Sequence, residues 1–295
     1  MSRHGGKGEG GIELTIQDMT VSDIMTQPPI VVEVPGSRND VINMMVRNGL
    51  TGLPVVRSSD GMLMGVVSRR DIFRNFEEDQ LSLIMKKGCI TADSDASIAD
   101  VARVFCEKRI HRIPVVSDGS LVGIVTPTDL LRIVKDMKTP MTAEDVISTV
   151  CVTAYEDEPL TYTIPAMRIS DVAAVPVLDA NGKMVGILTD RDLFSDQMKD
   201  PEALQALGIS ADENLAGYRN VLPLFYSATD AHRGSDKKVR DFMVKNPVSV
   251  FKKTNLAEVA KTMVSKDFGQ IPVHGTRDEL VGMIYDVDVL RALLG

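Results

Sequence analysis

The sequence predicts an α/β fold made of four copies of one strand–helix–strand–strand–helix unit, and three recurring features predict it. Four apolar strands are centred on a proline: Gly52-Leu-Pro-Val-Val56, Arg112-Ile-Pro-Val-Val116, Ala174-Val-Pro-Val177 and Gln270-Ile-Pro-Val273. A glycine-containing return strand follows each: Met64-Gly-Val-Val-Ser-Arg-Arg-Asp71, Val122-Gly-Ile-Val-Thr-Pro-Thr-Asp129, Val185-Gly-Ile-Leu-Thr-Asp-Arg-Asp192 and Val281-Gly-Met-Ile-Tyr-Asp-Val-Asp288. An aspartate closes each copy 17, 15, 16 and 16 residues beyond the proline. Self-similarity at a fixed period decides architecture ahead of any local reading, because a unit that cannot bury its apolar face alone must stack on its neighbours.

Each element of the unit has its own signal. In the first copy, Pro29-Ile-Val-Val-Glu-Val34 reads as a β-branched strand that Pro35-Gly-Ser breaks. Residues 39–48 carry Val41, Met44 and Met45 at helical spacing, and Asn48-Gly49 stops that helix. Two apolar runs, 53–56 and 62–67, flank the turn Ser58-Ser-Asp-Gly61 and read as a hairpin, and a second helix begins near Asp71. The second copy opens its helix with Ser97-Ile-Ala-Asp100 and turns at Asp118-Gly119; the third turns at Asp179-Ala-Asn-Gly182. The third copy's first helix is expected to be poor, because Pro165 falls inside residues 160–169 and removes a backbone donor.

The prolines are separated by 60, 62 and then 96 residues, so the last interval holds an insertion between Ser195 and Lys237. This gives a Gly-rich disordered tail at 1–15, repeats at 16–77, 78–137, 138–196 and 238–295, and the insertion at 197–237. Within the insertion residues 201–207 look helical, and Tyr218, Phe225 and Tyr226 are expected to pack it onto a repeat.

Composition narrows the functional classes. At 295 residues, 44% hydrophobic and 25% charged, the chain is globular in type and long enough for two cores. A net charge of −8 argues against a nucleic acid or a membrane surface as primary partner, and means that an anionic ligand needs locally concentrated cations. Three cysteines, Cys89, Cys106 and Cys151, lack metal spacing and fit a reduced, cytoplasmic setting. There is no apolar run of membrane-span length, no zinc-type cluster and no nucleophile with a nearby base, so neither a metal nor a catalytic cofactor is expected. The 16 methionines fall mostly at helical spacing as core filler.

The chemistry that recurs is Ser68-Arg-Arg-Asp71, Thr126-Pro-Thr-Asp129 and Thr189-Asp-Arg-Asp192, a hydroxyl at a strand end followed by a carboxylate at a helix start. Such a carboxylate can accept hydrogen bonds from vicinal ribose hydroxyls while the hydroxyl and helix N-terminus donate to phosphate. Neighbouring arginines such as Arg70 and Arg191 add planar forks for phosphate. The same tetrad also reads as a helix cap. The fourth copy departs from the pattern: Tyr285 replaces the hydroxyl residue and Val287 the donor, leaving Asp288 with few phosphate-side groups.

These strands, together with the openings Val21-Ser-Asp-Ile-Met-Thr26 and Val239-Arg-Asp-Phe-Met-Val244, resemble the CBS (cystathionine β-synthase) domain from residue 16 to the last residue. Four repeats without a catalytic domain are similar to archaeal four-repeat members and to the γ subunit of AMP-activated protein kinase, with Lys108-Arg-Ile-His-Arg-Ile-Pro-Val-Val116 especially close. The resemblance implies α/β (α+β) repeats paired into two Bateman modules that form a disc, with nucleotide clefts between paired repeats. For the Asp129 cleft it implicates Thr26, Val31, Leu50 and Thr51 around the base, Ile124 beneath it, and Thr126, Thr128 and the pair His111-Arg112 toward phosphate. For the Asp71 cleft it implicates Thr91, Ile110 and His111 with Val66, Ser68 and Arg70. For the Asp192 cleft it implicates Ile187, Thr189 and Arg191 with Ser249, Phe268 and Gly269, and the Asp288 cleft is expected to be weak, empty or selective for a less charged adenosine ligand.

The function so implied is a regulatory sensor without catalysis of its own. It binds AMP, ADP or ATP and acts on an unidentified protein partner or by self-association. The rival readings are an assembly scaffold that binds no ligand and an S-adenosylmethionine-binding regulator.

Overall fold

The computed structural model describes residues 18–75, 78–148, 150–170, 172–189, 192 and 237–294. The expected tail, the insertion with Tyr218, Phe225 and Tyr226, and Arg191 lie outside the described residues.

The first repeat contains β1 (Val32–Val34), α1 (Arg38–Asn48), β2 (Gly52–Arg57), β3 (Leu63–Ser68) and α2 (Arg69–Arg74). A short α3 (Leu81–Ile84) leads to the second repeat, with β4 (Lys86–Lys87), β5 (Ala92–Asp93), α4 (Ile98–Lys108), β6 (Ile113–Ser117), β7 (Ser120–Val125) and α5 (Pro127–Val134). The third repeat has β8 (Ala154–Tyr155), α6 (Leu160–Ile169), β9 (Ala174–Leu178) and β10 (Met184–Thr189). The fourth has β11 (Val244–Lys245), β12 (Val250–Phe251), α7 (Leu256–Lys266), β13 (Gln270–His274), β14 (Leu280–Tyr285) and α8 (Asp286–Val289).

Local sequence explains these elements. Ser97 Oγ accepts from Asp100 N at 3.1 Å to cap α4, and Ile98, Val101, Ala102 and Phe105 then form one buried stripe. Leu256, Val259, Ala260 and Met263 repeat that spacing on α7. Asp118 and Gly119 both have positive φ, 49° and 77°, as the two-residue turn between β6 and β7 requires. Against expectation, α6 runs through Pro165. Buried Leu160, Ile164 and Met167 hold it on the sheet, so tertiary packing outweighs the lost donor.

In every repeat a parallel pair precedes an antiparallel hairpin: β1 with β2 and β2 with β3, β5 with β6 and β6 with β7, β8 with β9 and β9 with β10, β12 with β13 and β13 with β14. The outer edge of each hairpin is completed by the lead-in segment of the other repeat of its pair. Lys86 pairs with Val66, and Thr26 with Ile124, reciprocally joining repeats 1 and 2. Val244 pairs with Ile187, and Ser148 with Met283, joining repeats 3 and 4 in the same way. This exchange explains the recurring glycine of the return strand. A Cβ on Gly65 or Gly282 would collide with a backbone carbonyl, of Lys86 or Ser148, and one on Gly123 or Gly186 with the methionine of the incoming segment, Met25 or Met243.

Repeats 1 and 3 each have a core of their own, whereas repeats 2 and 4 share one. Leu130, Leu131 and Val134 of α5 enter it with Val287, Leu290 and Leu293 from the end of repeat 4, so this core joins the two modules. Among the described residues no helix is long and apolar enough to cross a membrane.

Candidate functional site

The four aspartates occupy equivalent places at the ends of β3, β7, β10 and β14, and one oxygen of each is committed to its own turn. Ser68 N donates to Asp71 Oδ2 at 2.8 Å, and the Ser68 hydroxyl donates to the same oxygen. Thr126 N and Oγ1 donate to Asp129 Oδ2 at 2.8 and 2.7 Å, and Thr189 N and Oγ1 to Asp192 Oδ2 at 2.9 and 2.6 Å. In the fourth turn Tyr285 N donates to Asp288 Oδ2 at 3.2 Å. The cap is therefore real, but it uses one oxygen only. At Asp71, Asp129 and Asp288 the second oxygen meets a cation: Lys86 Nζ at 3.4 Å, Arg132 Nη1 at 3.0 Å and Arg109 Nη1 at 2.9 Å.

The Asp71 turn lies in a concentration of positive charge. Arg112, just ahead of β6, donates through Nη2 to Thr51 Oγ1 at 2.9 Å and lies against Gly52, where any Cβ would overlap its guanidinium. Burial pushes the Arg112 guanidinium down to about 10; Asp71 opposes that, while the like charges of Arg69 and Arg70 add to it. It is still fully charged at neutral pH, and Lys86 arrives on the exchanged strand β4. Val66 stands beside it on β3, half-buried, and Leu50 packs at the edge of the repeat 1 core.

His111 and Arg112 do not work as a pair on Asp129. At the bend ahead of β6 the two side chains part: Arg112 reaches Thr51 of repeat 1, while His111 Nδ1 comes within 3.6 Å of Asp286 Oδ2 in repeat 4. The cation that meets Asp129 is instead Arg132, three residues on along α5. Thr26 is exposed on the lead-in segment opposite Ile124, and half-buried Thr126 and Thr128 flank Asp129; Val31 is half-buried ahead of β1. Ile110 packs against the core shared by repeats 2 and 4, and Thr91 is exposed.

Around Asp192, Ile187 is half-buried and paired with Val244 of the incoming strand. The fourth-repeat residues expected there are engaged within their own repeat. Ser249 Oγ lies 3.1 Å from His274 Nδ1, Gly269 O accepts from Asp286 N at 2.9 Å, and Phe268 is exposed.

The Asp288 turn is not short of cations, as its sequence suggested; Arg109 from repeat 2 covers it. Asp288 holds the Arg109 guanidinium above its ordinary pKa. Arg109 was missed because its role depends on repeat 2 packing on repeat 4, a contact that no spacing within a repeat encodes. The available signal was an arginine following α4 where the first copy has Gly49: both positions have positive φ, 49° and 65°, and bulky side chains are uncommon there. Among the described residues, no group of three or more His, Cys, Asp or Glu side chains could hold a metal ion.

Comparison with known proteins agrees with this layout. The sequence model of the CBS domain matches residues 21–78, 81–136, 143–198 and 239–295. The uncharacterized protein MJ1225 of Methanocaldococcus jannaschii is 26% identical over 193 residues, 59% of this chain and 68% of its own. Its crystal structure, put forward as an archaeal homolog of g-AMPK, superposes with a TM-score of 0.70 at 19% identity over 93% of this chain and 100% of that one. An uncharacterized conserved protein of Pyrococcus horikoshii superposes at 0.68 with 23% identity over 93% and 100%; at such identities both likenesses are of fold. An L-aspartate semialdehyde sulfurtransferase of M. jannaschii is 34% identical over 111 residues, which are 37% of this chain and 21% of that enzyme.

Proposed function

Since the chain belongs to the CBS domain family, with four matched domains in one polypeptide, we propose that it is a regulatory protein that binds adenine nucleotides (AMP, ADP or ATP) in the clefts between paired repeats, without turnover. The observation that carries this reading is the surroundings of Arg112. A charged guanidinium is partly withdrawn from water, held against Gly52 and bonded to Thr51, with Asp71 opposing and Arg69 and Arg70 adding to the cost of its charge. A buried cation at such a place is stabilised when an anion arrives, and a phosphate offers the planar fork two acceptors at once. A ribose on the outward oxygen of Asp71 would put its phosphate within reach of this cluster, and Lys86 would exchange one anionic partner for another.

Regulation follows if the charge states of the nucleotide bind with different affinity, since only differential affinity shifts a conformational equilibrium. Isothermal calorimetry with AMP, ADP, ATP, GMP and S-adenosylmethionine is the test. Heat with the adenine nucleotides and none with GMP is expected. Silence toward every adenosine compound sinks the proposal and leaves the scaffold reading, whereas heat with S-adenosylmethionine alone favours the sulfonium ligand.

A further inference from the structure

The fourth turn differs from the first two in where its cation comes from. Lys86 Nζ and Arg132 Nη1 reach Asp71 and Asp129 from within the same module, with side chains 62% and 60% exposed. Arg109 reaches Asp288 from the other module with both terminal guanidinium nitrogens, Nη1 to Oδ1 at 2.9 Å and Nη2 to Oδ2 at 3.4 Å. Its Cζ also stands 5.2 Å from the centre of the Tyr285 ring, the residue that replaces serine or threonine in this copy.

The neighbouring contacts align with that pair. Cys106 Sγ donates to Val287 O at 3.1 Å, and His111 Nδ1 lies 3.6 Å from Asp286 Oδ2. Residues 106–111 of repeat 2 thus cover residues 285–288 of repeat 4 as one patch. Asp288 is only 5% exposed at its side chain while Arg109 keeps 49%, the arrangement of a lid over a carboxylate. Tyr285 completes the fit: its ring gives a guanidinium a flat apolar seat, and burial pushes its phenol up, keeping it neutral.

We propose that Arg109 is a built-in occupant of the repeat 4 cleft: it holds Asp288 against any outside ribose and fastens the module of repeats 1 and 2 onto that of repeats 3 and 4. A ligand and Arg109 compete for the same carboxylate, so the cleft opens only as far as the fastening between modules loosens. A bidentate, charge-assisted pair with an aromatic backing favours the closed form strongly. A ligand shifts the balance only by binding the open form more tightly.

The test uses the full chain with Cys89→Ser and Cys151→Ser, leaving Cys106 as the reporter thiol. In the closed form its thiol donates to Val287 O, and burial pushes its pKa up, so reaction with a disulfide reagent is slow. Opening exposes the sulfur and lets it ionise. Arg109→Gln should speed labelling about tenfold, equivalent to ~1.4 kcal/mol of lost closure. Asp288→Asn, which removes the same pair from the other side, should give a similar rise, and Arg109→Lys, which keeps the charge but not the fork, a smaller one. Unchanged labelling in both Arg109→Gln and Asp288→Asn overturns the proposal, as does a rise in only one of them.

A second arm rests on the nucleotide-binding reading: calorimetry of Arg109→Gln should show one adenosine site more than the parent. An unchanged site count in a protein that binds nucleotide overturns the role as occupant. Silence of both proteins sinks the nucleotide reading alone, because the labelling rates still decide the fastening.

Discussion

Arg112 Nη2 donates to Thr51 Oγ1 across 2.9 Å, so the strand that opens the repeat 2 hairpin is tied to the residue that precedes the repeat 1 hairpin. The bond fixes a buried cation at the seam of the first module, and the missing side chain of Gly52 leaves room for it. Two sequence positions one unit apart, a glycine and an arginine, are therefore complementary in space.

Arg112→Met should lower affinity for adenine nucleotide at the Asp71 cleft by roughly ten- to a hundredfold, the worth of a charge-assisted hydrogen bond. The same change should leave stability unchanged or raise it by about 1 kcal/mol at neutral pH, because an apolar side chain of similar length carries no desolvation cost. The folded-state value of about 10 lies below that of an ordinary arginine, so the unfolded chain holds this proton more tightly. The cost of Arg112 is thus fully present below about pH 10 and fades as pH rises from there toward the ordinary arginine value. Urea unfolding at pH 7 and pH 9 should show the same gain at both, and calorimetry supplies the affinity.

Asp129→Ala separates the two roles of a turn carboxylate. Thr126 loses the acceptor for its amide and hydroxyl, a capping loss of about 1 kcal/mol, and Arg132 loses its partner. The fold should survive and one nucleotide site should vanish from the stoichiometry. Reduced stability with an unchanged site count would mean that the aspartate serves the cap alone.

How much of this was legible in the sequence divides along the unit itself. The proline strands, the Asp118-Gly119 turn and the stripe of Ile98, Val101, Ala102 and Phe105 are local, and their spacing was enough to read them. That Thr26 and Ile124 belong to one cleft came from resemblance, since they lie almost a hundred residues apart, and their backbone pairing is seen only in the structure. The directions of His111 and Arg109 were not legible, because each is set by the surface of repeat 4 that it meets. The helix through Pro165 was misjudged for a related reason: propensity is a local quantity, and the burial of Leu160 and Met167 that overrides it is not.

Pro165→Ala tests that account of α6. Restoring the backbone donor inside the helix should raise stability by roughly 1 kcal/mol or more, with little change in ligand affinity. Equilibrium unfolding in urea measures it, and a loss of stability would show that the ring itself is needed for packing.

Gly65→Ala tests the strand exchange. The added methyl meets the Lys86 carbonyl, a backbone atom that cannot move aside without lifting β4 from β3. The expected loss is about 1–3 kcal/mol, the usual scale for forcing a group into a filled space. The amides of Lys86 and Lys87 should also exchange faster with solvent, which hydrogen exchange reads residue by residue.

The reciprocal exchange of lead-in segments has a consequence for how such a chain can be divided. A cut between repeats 1 and 2 would leave each half with a hairpin whose outer edge lacks the segment now carried by the other half. Bare edges of that kind seek a partner, so the two pieces are matched to find each other again, as the halves of a complementation pair do. A single isolated repeat has no such counterpart except another copy of itself, and two copies facing each other could trade segments in the same reciprocal way. The pair of repeats, rather than the repeat, is therefore the smallest unit in which every hairpin edge is covered.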